Sequence, residues 1–382
     1  VIVAGGGVHY SRAEAELAAF AEEFGIPVVE TIAGKSSLLA SHPRYAGPIG
    51  VTGAAAANVA ATGADVVIAV GTRLEDFTTG SWTVFAPDAQ IVAVNAARFD
   101  AIKHRATPVV GDAREALAGL SAELRGWSAD PEWTQTGVRL RGDLQDFVDE
   151  RTAEDGVWPP SYAQLVGRVH ASSLPEDYVL TAAGGLPGEL NINWMSTGIA
   201  TFDCDYGFSC MGYEISGAWG AAFARPQGQV YAMCGDGSYL MMNSDIYASV
   251  LSGRKFILVV CDNEGYAVIE RLQVGQGGAS YNNMLKDSTG PGSEVRVDFR
   301  AHAESMGAVA IEVGSLAEFD AALQSARAAD RTTVIVSKVR ASDWTEGGAF
   351  WQVGVPEVSD RAEVRTARAA MDAGLTAQRR GV

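Results

Sequence analysis

The sequence predicts an α/β fold made of two parallel-sheet, three-layer α/β/α domains. Three observations predict it. Apolar runs such as Val66-Val67-Ile68-Ala69-Val70 and Phe256-Ile257-Leu258-Val259-Val260 do not alternate with polar residues. Such runs are buried on both faces, as strands of a parallel sheet under helices are. Strand patterns alternate with helical patterns in both halves of the chain, and glycine clusters follow several of the strands.

In the first unit, residues 1–125, strands are expected at 1–4, 27–30, 65–71, 90–95 and 107–110. The run 13–24 is a good helix former, with Ser11 as its expected N-cap. Residues 126–158 read as a connector, with Trp127, Trp133 and Trp158 spread among charges. A second unit over 159–345 carries strands at 178–182, 229–234, 255–261, 308–313 and 333–339. One helix is expected over 239–251, capped by Ser238, and Ser315-Leu316-Ala317-Glu318 forms a capping box opening a helix to about Ala328. The glycine-rich stretch 274–295 reads as a mobile loop, and the tail over 346–382 ends in a polar helix from about Ala362. The chain begins within a strand, at Val1 and without methionine, so further protein is expected on its N-terminal side.

A net charge of −17 disfavours nonspecific binding to nucleic acid or anionic membrane. No apolar run is long enough for a transmembrane helix, and no secretory signal opens the chain. Cys204, Cys210, Cys234 and Cys261 show no CxxC pairing, which fits a reducing cytoplasm.

The chemistry concentrates in Gly235-Asp236-Gly237 and Asp262-Asn263-Glu264-Gly265, each directly after an apolar strand. Asp236 and Asn263 are 27 positions apart, room for a helix and one further strand. That places a carboxylate and an amide oxygen at one sheet edge, a donor pair suited to magnesium or calcium. Flanking glycines let backbone amides approach a phosphate. Gly184-Gly185 ends another strand on the same edge, where open α/β sheets bind ligands. Gly5-Gly6-Gly7 also follows a strand, but Tyr10 stands where a dinucleotide fingerprint needs glycine, so a tight turn is the better reading and a nicotinamide dehydrogenase is disfavoured.

With Gly235-Asp236-Gly237, a 24-residue interval and Asp262-Asn263, the chain resembles the thiamine diphosphate-dependent enzymes. The usual motif ends Asn-Asn, so Asp262 departs at its first, non-ligating position. The resemblance implies that residues 1–125 are the family's middle domain and 159–345 its diphosphate-binding domain. It implies Asp236, Asn263 and the carbonyl of Gly265 as magnesium ligands, and Gly237, Ser238 and Tyr266 at the diphosphate. Gly184, Gly185, Ser209 and Met211 join the cofactor site, with Met211 as the wedge that holds the cofactor bent. Longer stretches, among them Gly71–Trp82 and Ala183–Leu190, are similar to the branch that hydrolyses trihydroxycyclohexane-1,2-dione in myo-inositol breakdown. This implies hydrolytic C–C cleavage of a cyclic diketone. A 2-oxo acid decarboxylase or carboligase, or a cofactor-binding subunit inactive alone, is the alternative. In this family a pyrimidine-binding domain supplies a catalytic glutamate across a subunit interface. No residue of this chain takes that role, so a partner domain or subunit and an oligomer are expected. Glu270 and His9 are weak catalytic candidates, with a surface or structural role favoured for each. The aromatic residues Trp344, Phe350 and Trp351 are expected either to cap the site or to pack on the second domain.

Overall fold

The computed structural model describes residues 1–379, and the last three residues of the expected tail lie outside it. Two six-stranded, all-parallel sheets form the frame. The first contains β1 (Ile2–Ala4), β2 (Val28–Glu30), β3 (Tyr45–Pro48), β4 (Val66–Val70), β5 (Gln90–Asn95) and β6 (Thr107–Val110), in spatial order β3-β2-β1-β4-β5-β6. The second contains β7 (Tyr178–Thr181), β8 (Phe202–Cys204), β9 (Val230–Gly235), β10 (Ile257–Asp262), β11 (Val309–Val313) and β12 (Thr333–Lys338), in order β11-β12-β10-β9-β7-β8. Helices cover both faces, and each sheet has an apolar core on either side. This is the two-domain α/β/α architecture that the uninterrupted apolar strands predict.

The structure adds two strands that the sequence pattern does not mark, β3 and β8. Each is short and each closes one edge of a sheet. β3 ends in Gly47-Pro48, and proline is tolerated on an edge strand because its missing N–H faces away from the ladder.

Several local expectations change. The helix Glu14–Phe24 has Ala13 at its N-cap, while Ser11 Oγ accepts a hydrogen bond from the Ala113 amide instead. The helix expected over 239–251 is two, Asp236–Met242 and Ser244–Ser252, broken at Asn243. It starts at Asp236 with Gly235 as N-cap, so Ser238 lies inside the first turn rather than capping it. Ser315 caps Leu316–Ala328 as expected, but Glu318 Oε2 accepts from the Gly314 amide, so only half of the reciprocal box forms. The connector is mostly one 22-residue helix, Pro131–Thr152, started by Asp130 and a proline in its first turn. Its buried Leu140, Leu144 and Val148 pack against the first unit.

Polar contacts fix the two units to each other. Lys35 Nζ donates to the Asn191 carbonyl (2.8 Å), Asn191 Nδ2 to the Thr52 carbonyl (3.0 Å) and the Thr201 amide to Ser36 Oγ (3.1 Å). The carboxyl edge of the second sheet thereby faces residues 51–52 and 75–77 of the first unit across a shared chamber.

Candidate functional site

β7 and β9 are neighbours, yet the chain leaves β7 towards β8 on one side and β9 towards β10 on the other. Such a reversal opens a crevice beyond the strand tips. The residues after these strands meet there. Gly184-Gly185 follows β7, Asp236 follows β9 and Asn263 follows β10. The β9–β10 register aligns Gly235 with Cys261, which brings Asp236 level with Asp262.

Asp236 is buried. Its Oδ2 accepts from the Gly265 amide at 2.9 Å and its Oδ1 from the Asn263 amide at 3.4 Å. Burial, and then the charge of Asp262, push its carboxyl up to about 7. No Lys or Arg pairs with it among the described residues. Asn263 Oδ1 is buried and lacks a hydrogen-bond partner. A buried carboxylate without a cation, next to an orphaned amide oxygen, is the donor set that a hard divalent ion satisfies. Among the described residues no group of three or more His, Cys, Asp or Glu side chains is placed to hold a metal, so the remaining ligands at Asp236 and Asn263 would come from carbonyls, water or a bound phosphate.

Asp262 is paired instead. It lies opposite Lys338 in the β10–β12 register, and Lys338 Nζ sits 2.8 Å from Asp262 Oδ2 and 2.8 Å from Glu264 Oε1. Its Oδ1 accepts from the Glu264 amide at 3.1 Å. Glu264 is therefore a salt-bridge partner, with its carboxyl held below the usual range by that lysine.

A cleft of about 250 Å³ opens beside these tips. Gly184, Gly185, Ser209, Met211, Gly237, Ser238, Asn263, Gly265 and Tyr266 all line it. Asp236 stands just behind, reaching the cleft through the amides of Asn263 and Gly265. Backbone shape explains two of the glycines. Gly265 has φ +152° and a Cβ there would fall 2.4 Å from the Asn283 carbonyl oxygen. A Cβ on Gly237 would meet the Tyr266 ring at 2.7 Å and Met211 Cε at 3.3 Å, so that glycine holds the cleft open. The Gly237 and Ser238 amides lie in the first turn of their helix, where N–H groups have no partner within the helix.

Tyr162 carries no motif and was missed, whereas Trp344 takes the site-capping one of its two expected places. Tyr162 and Trp344 stack at 4.5 Å between ring centroids with planes 14° apart, and both line the cleft. Trp344 lies so close to Gly185 that a Cβ there would overlap its ring at 1.7 Å. Two buried glutamates, Glu189 and Glu214, hold the surrounding loops. Glu189 accepts from the Thr345 amide (2.7 Å) and from Thr345 Oγ1 (2.7 Å), which anchors the tail beside Trp344. Glu214 accepts from the amides of Ala183 (3.2 Å) and Gly212 (2.9 Å). Burial raises both carboxyls. The sequence hint was available, since a glutamate within an apolar helix stretch needs buried partners.

The two weak catalytic candidates stand elsewhere. Both His9 ring nitrogens are engaged, Nδ1 with Glu14 Oε1 (2.9 Å) and Nε2 with the Lys35 carbonyl (3.0 Å). Glu270 turns to the loop that follows its helix, bonding Ser280 Oγ and accepting from Asn283 Nδ2 at 3.1 Å. Neither lines the cleft or the adjoining chamber. In the aromatic tail, Trp344 and Trp351 line that chamber, Trp351 with its ring 5.0 Å from Phe77, while Phe350 packs at Gly374 of the C-terminal helix. Arg73 pairs with Glu75 at 2.6 Å, Asp76 lines the chamber, and Trp82 packs on Phe85 and His104.

Comparison with known families fits this geometry. Residues 1–120 match the thiamine pyrophosphate enzyme central domain, and residues 189–337 match the thiamine pyrophosphate enzyme C-terminal TPP binding domain. Similar proteins include the 3D-(3,5/4)-trihydroxycyclohexane-1,2-dione hydrolase of Halalkalibacterium halodurans, 36% identical over 96% of this chain and 61% of that protein. The protein of the same name from Bacillus cereus strain AH820 is 38% identical over 96% of this chain and 62% of its own length. That of Geobacillus thermodenitrificans is 35% identical over 96% and 62% respectively. The chain thus spans a little over 60% of the length of these relatives. It belongs to the thiamine pyrophosphate enzymes, of which it carries the central domain and the C-terminal cofactor-binding domain.

Proposed function

We propose that this chain is the central and cofactor-binding part of a thiamine diphosphate- and Mg²⁺-dependent hydrolase. Its substrate is a polyhydroxylated cyclohexane-1,2-dione, and it opens the ring by cleaving the C–C bond between the two carbonyls. The observation that carries the cofactor half of the reading is Asp236, buried and without a cation, beside the orphaned Asn263 Oδ1 at the mouth of a cleft. The substrate half rests on the names of relatives that align with 96% of the chain.

Asp236, Asn263 and the Gly265 carbonyl would hold the ion, and the ion would hold the diphosphate against Gly237, Ser238 and Tyr266. When bound, the cofactor supplies an electron sink for the breaking C–C bond. The chain's own part is to place and enclose. Met211 stands on one wall of the cleft, Tyr162 and Trp344 on another, and apolar Val268 and Leu272 line the chamber beyond. The net reaction adds water. One carbonyl carbon gains OH and becomes a carboxylic acid, and the other gains H and becomes an aldehyde. The proton chemistry on the cofactor ring falls to a glutamate from a pyrimidine-binding domain or subunit, in an oligomer of this chain with that partner.

The test has two parts. Titration with thiamine diphosphate should show Mg²⁺-dependent binding that Asp236→Ala removes. With the pyrimidine-binding part supplied, the assembly should convert a cyclohexane-1,2-dione to an open-chain acid faster than it consumes pyruvate. Pyruvate turnover without dione cleavage would move the protein to the 2-oxo acid decarboxylases.

A further inference from the structure

Beyond the cofactor cleft lies a chamber of about 600 Å³. The two share Gly184, Gly185, Ser209, Val268 and Trp344 as a common wall, so a group leaving one enters the other. Four charged residues line the chamber: Glu75, Asp76, Glu189 and Arg271. Glu75 is paired with Arg73, and Glu189 has both oxygens engaged by Thr345. Arg271 is the only cation among the described residues lining either space. It has neither an ion pair nor a hydrogen bond among them, in a chain whose net charge is −17.

Arg271 is nevertheless placed. It sits on the helix Ala267–Gly275 between Val268 and Leu272, which line the same chamber. Its guanidinium carbon lies 5.6 Å from the centroid of the Trp344 ring. That ring is itself fixed by Tyr162 and by Gly185. An arginine resting on an aromatic face keeps its N–H edge free for a planar carboxylate. Arg271 is also four residues, about 6 Å along the helix axis, beyond Ala267, which lines the cleft.

We propose that Arg271 is the seat of the carboxylate that ring opening creates. This rests on the hydrolase reading above. The cyclic diketone is neutral and the open-chain product is an anion, so a cation here favours the charge that develops as the ring opens. In a chamber whose other charged lining residues, Glu75, Asp76 and Glu189, are all acidic, it also fixes which end of the opened chain is held there. The bidentate fork matters as much as the charge, so lysine is a poor substitute.

The test uses the chain loaded with thiamine diphosphate and Mg²⁺, and two probes of equal size: glucuronate, an aldehyde acid, and glucose, its neutral analogue. Quenching of tryptophan fluorescence reports occupancy beside Trp344. The parent should bind glucuronate at least tenfold more tightly than glucose. Arg271→Gln should abolish that preference, and Arg271→Lys should recover only part of it, with cofactor affinity within twofold of the parent in both. In the complete assembly, Arg271→Gln should lower kcat/KM for the dione by 10- to 100-fold. Equal binding of glucose and glucuronate, or a preference that survives Arg271→Gln, would overturn the proposal. If the dione is hydrolysed and Arg271→Gln costs nothing, the seat is wrong and the hydrolase reading stands. If no dione is cleaved but glucuronate binds through Arg271, a carboxylate site remains at Arg271, while the hydrolase reading and ring opening as the source of that carboxylate both fall.

Discussion

Both sheets bury a carboxylate at a strand tip, and the two have opposite fates. Glu30 ends β2 in the first sheet and Asp236 follows β9 in the second. Around Glu30 the fold supplies partners. Its Oε1 accepts from Ser37 Oγ (3.0 Å) and the Leu38 amide (2.9 Å); its Oε2 is buried without a hydrogen-bond partner, but the buried Lys35 supplies an opposing charge. Around Asp236 the charge that acts on it is another carboxylate, Asp262. The glycines differ in the same sense. A Cβ on Gly5 would fall 2.5 Å from the Gly71 carbonyl oxygen, and one on Gly7 2.5 Å from Gly71 Cα. Those glycines let two strand-end turns pack on each other. The cavity of about 550 Å³ beyond them has no buried, unpartnered polar side chain among its described lining residues. The cleft beside Asp236 has two, Tyr162 and Asn263. One architecture thus offers a crevice twice, and the unpartnered Asn263 and Tyr162 distinguish the one proposed here for the cofactor.

The sharpest way to break this contrast is Asp236→Ala. Mg²⁺-dependent affinity for thiamine diphosphate should fall by roughly 10³-fold, about 4 kcal/mol, with little change in the melting temperature of the ligand-free chain. Calorimetric titration measures it, and an unchanged affinity would leave the two tips equivalent. Glu30→Ala should do the reverse. Removing it leaves Ser37 and the Leu38 amide without their buried acceptor and Lys35 without its opposing charge, which costs about 3 kcal/mol of stability, read by denaturant unfolding, while cofactor affinity per folded molecule stays the same. Gly7→Ala should cost roughly 2 kcal/mol by overpacking against Gly71, again with no effect on the cofactor. A loss of cofactor binding there would mean that the first crevice takes part after all.

Lys35 gives the pH dependence. Burial lowers its ammonium to about 8 against an ordinary 10.5, with Glu30 opposing the shift. Above pH 8 the folded chain has released this proton and the unfolded chain still holds it. The unfolded state binds more protons, so this residue's penalty on folding fades as pH rises from 8 towards 10.5. The stability of the parent relative to Lys35→Met should therefore rise between pH 8 and pH 9.5, as urea midpoints would show. Asp262→Asn is the smallest change. It restores the family's usual residue, removes a like charge beside Asp236 and leaves Lys338 to Glu264, so metal-dependent affinity should move by only a few-fold.

Much of this was legible in one dimension. Uninterrupted apolar strands announced parallel sheets, and Gly-Asp-Gly with Asp-Asn-Glu-Gly announced where oxygen donors gather, because strand, tip residue and turn are adjacent along the chain. Edge strands were not legible. β3 and β8 are defined by a neighbour on one side only and have too few residues to show a pattern. Helix starts were misjudged at Ser11 and Ser238, where a suitable side chain stood near a start that the tertiary structure set elsewhere.

The sequence by itself determined the two sheets and the placing of Asp236 and Asn263 at strand ends, since these follow from periodicity and from what each residue can donate or accept. Only the tertiary structure decided that Lys338 would neutralise Asp262, that Tyr162 and Trp344, separated by most of the second domain, would wall the cleft, and that Arg271 would rest on that tryptophan. Those contacts join residues distant along the chain. Their energies depend on burial and register, which no single stretch of sequence contains.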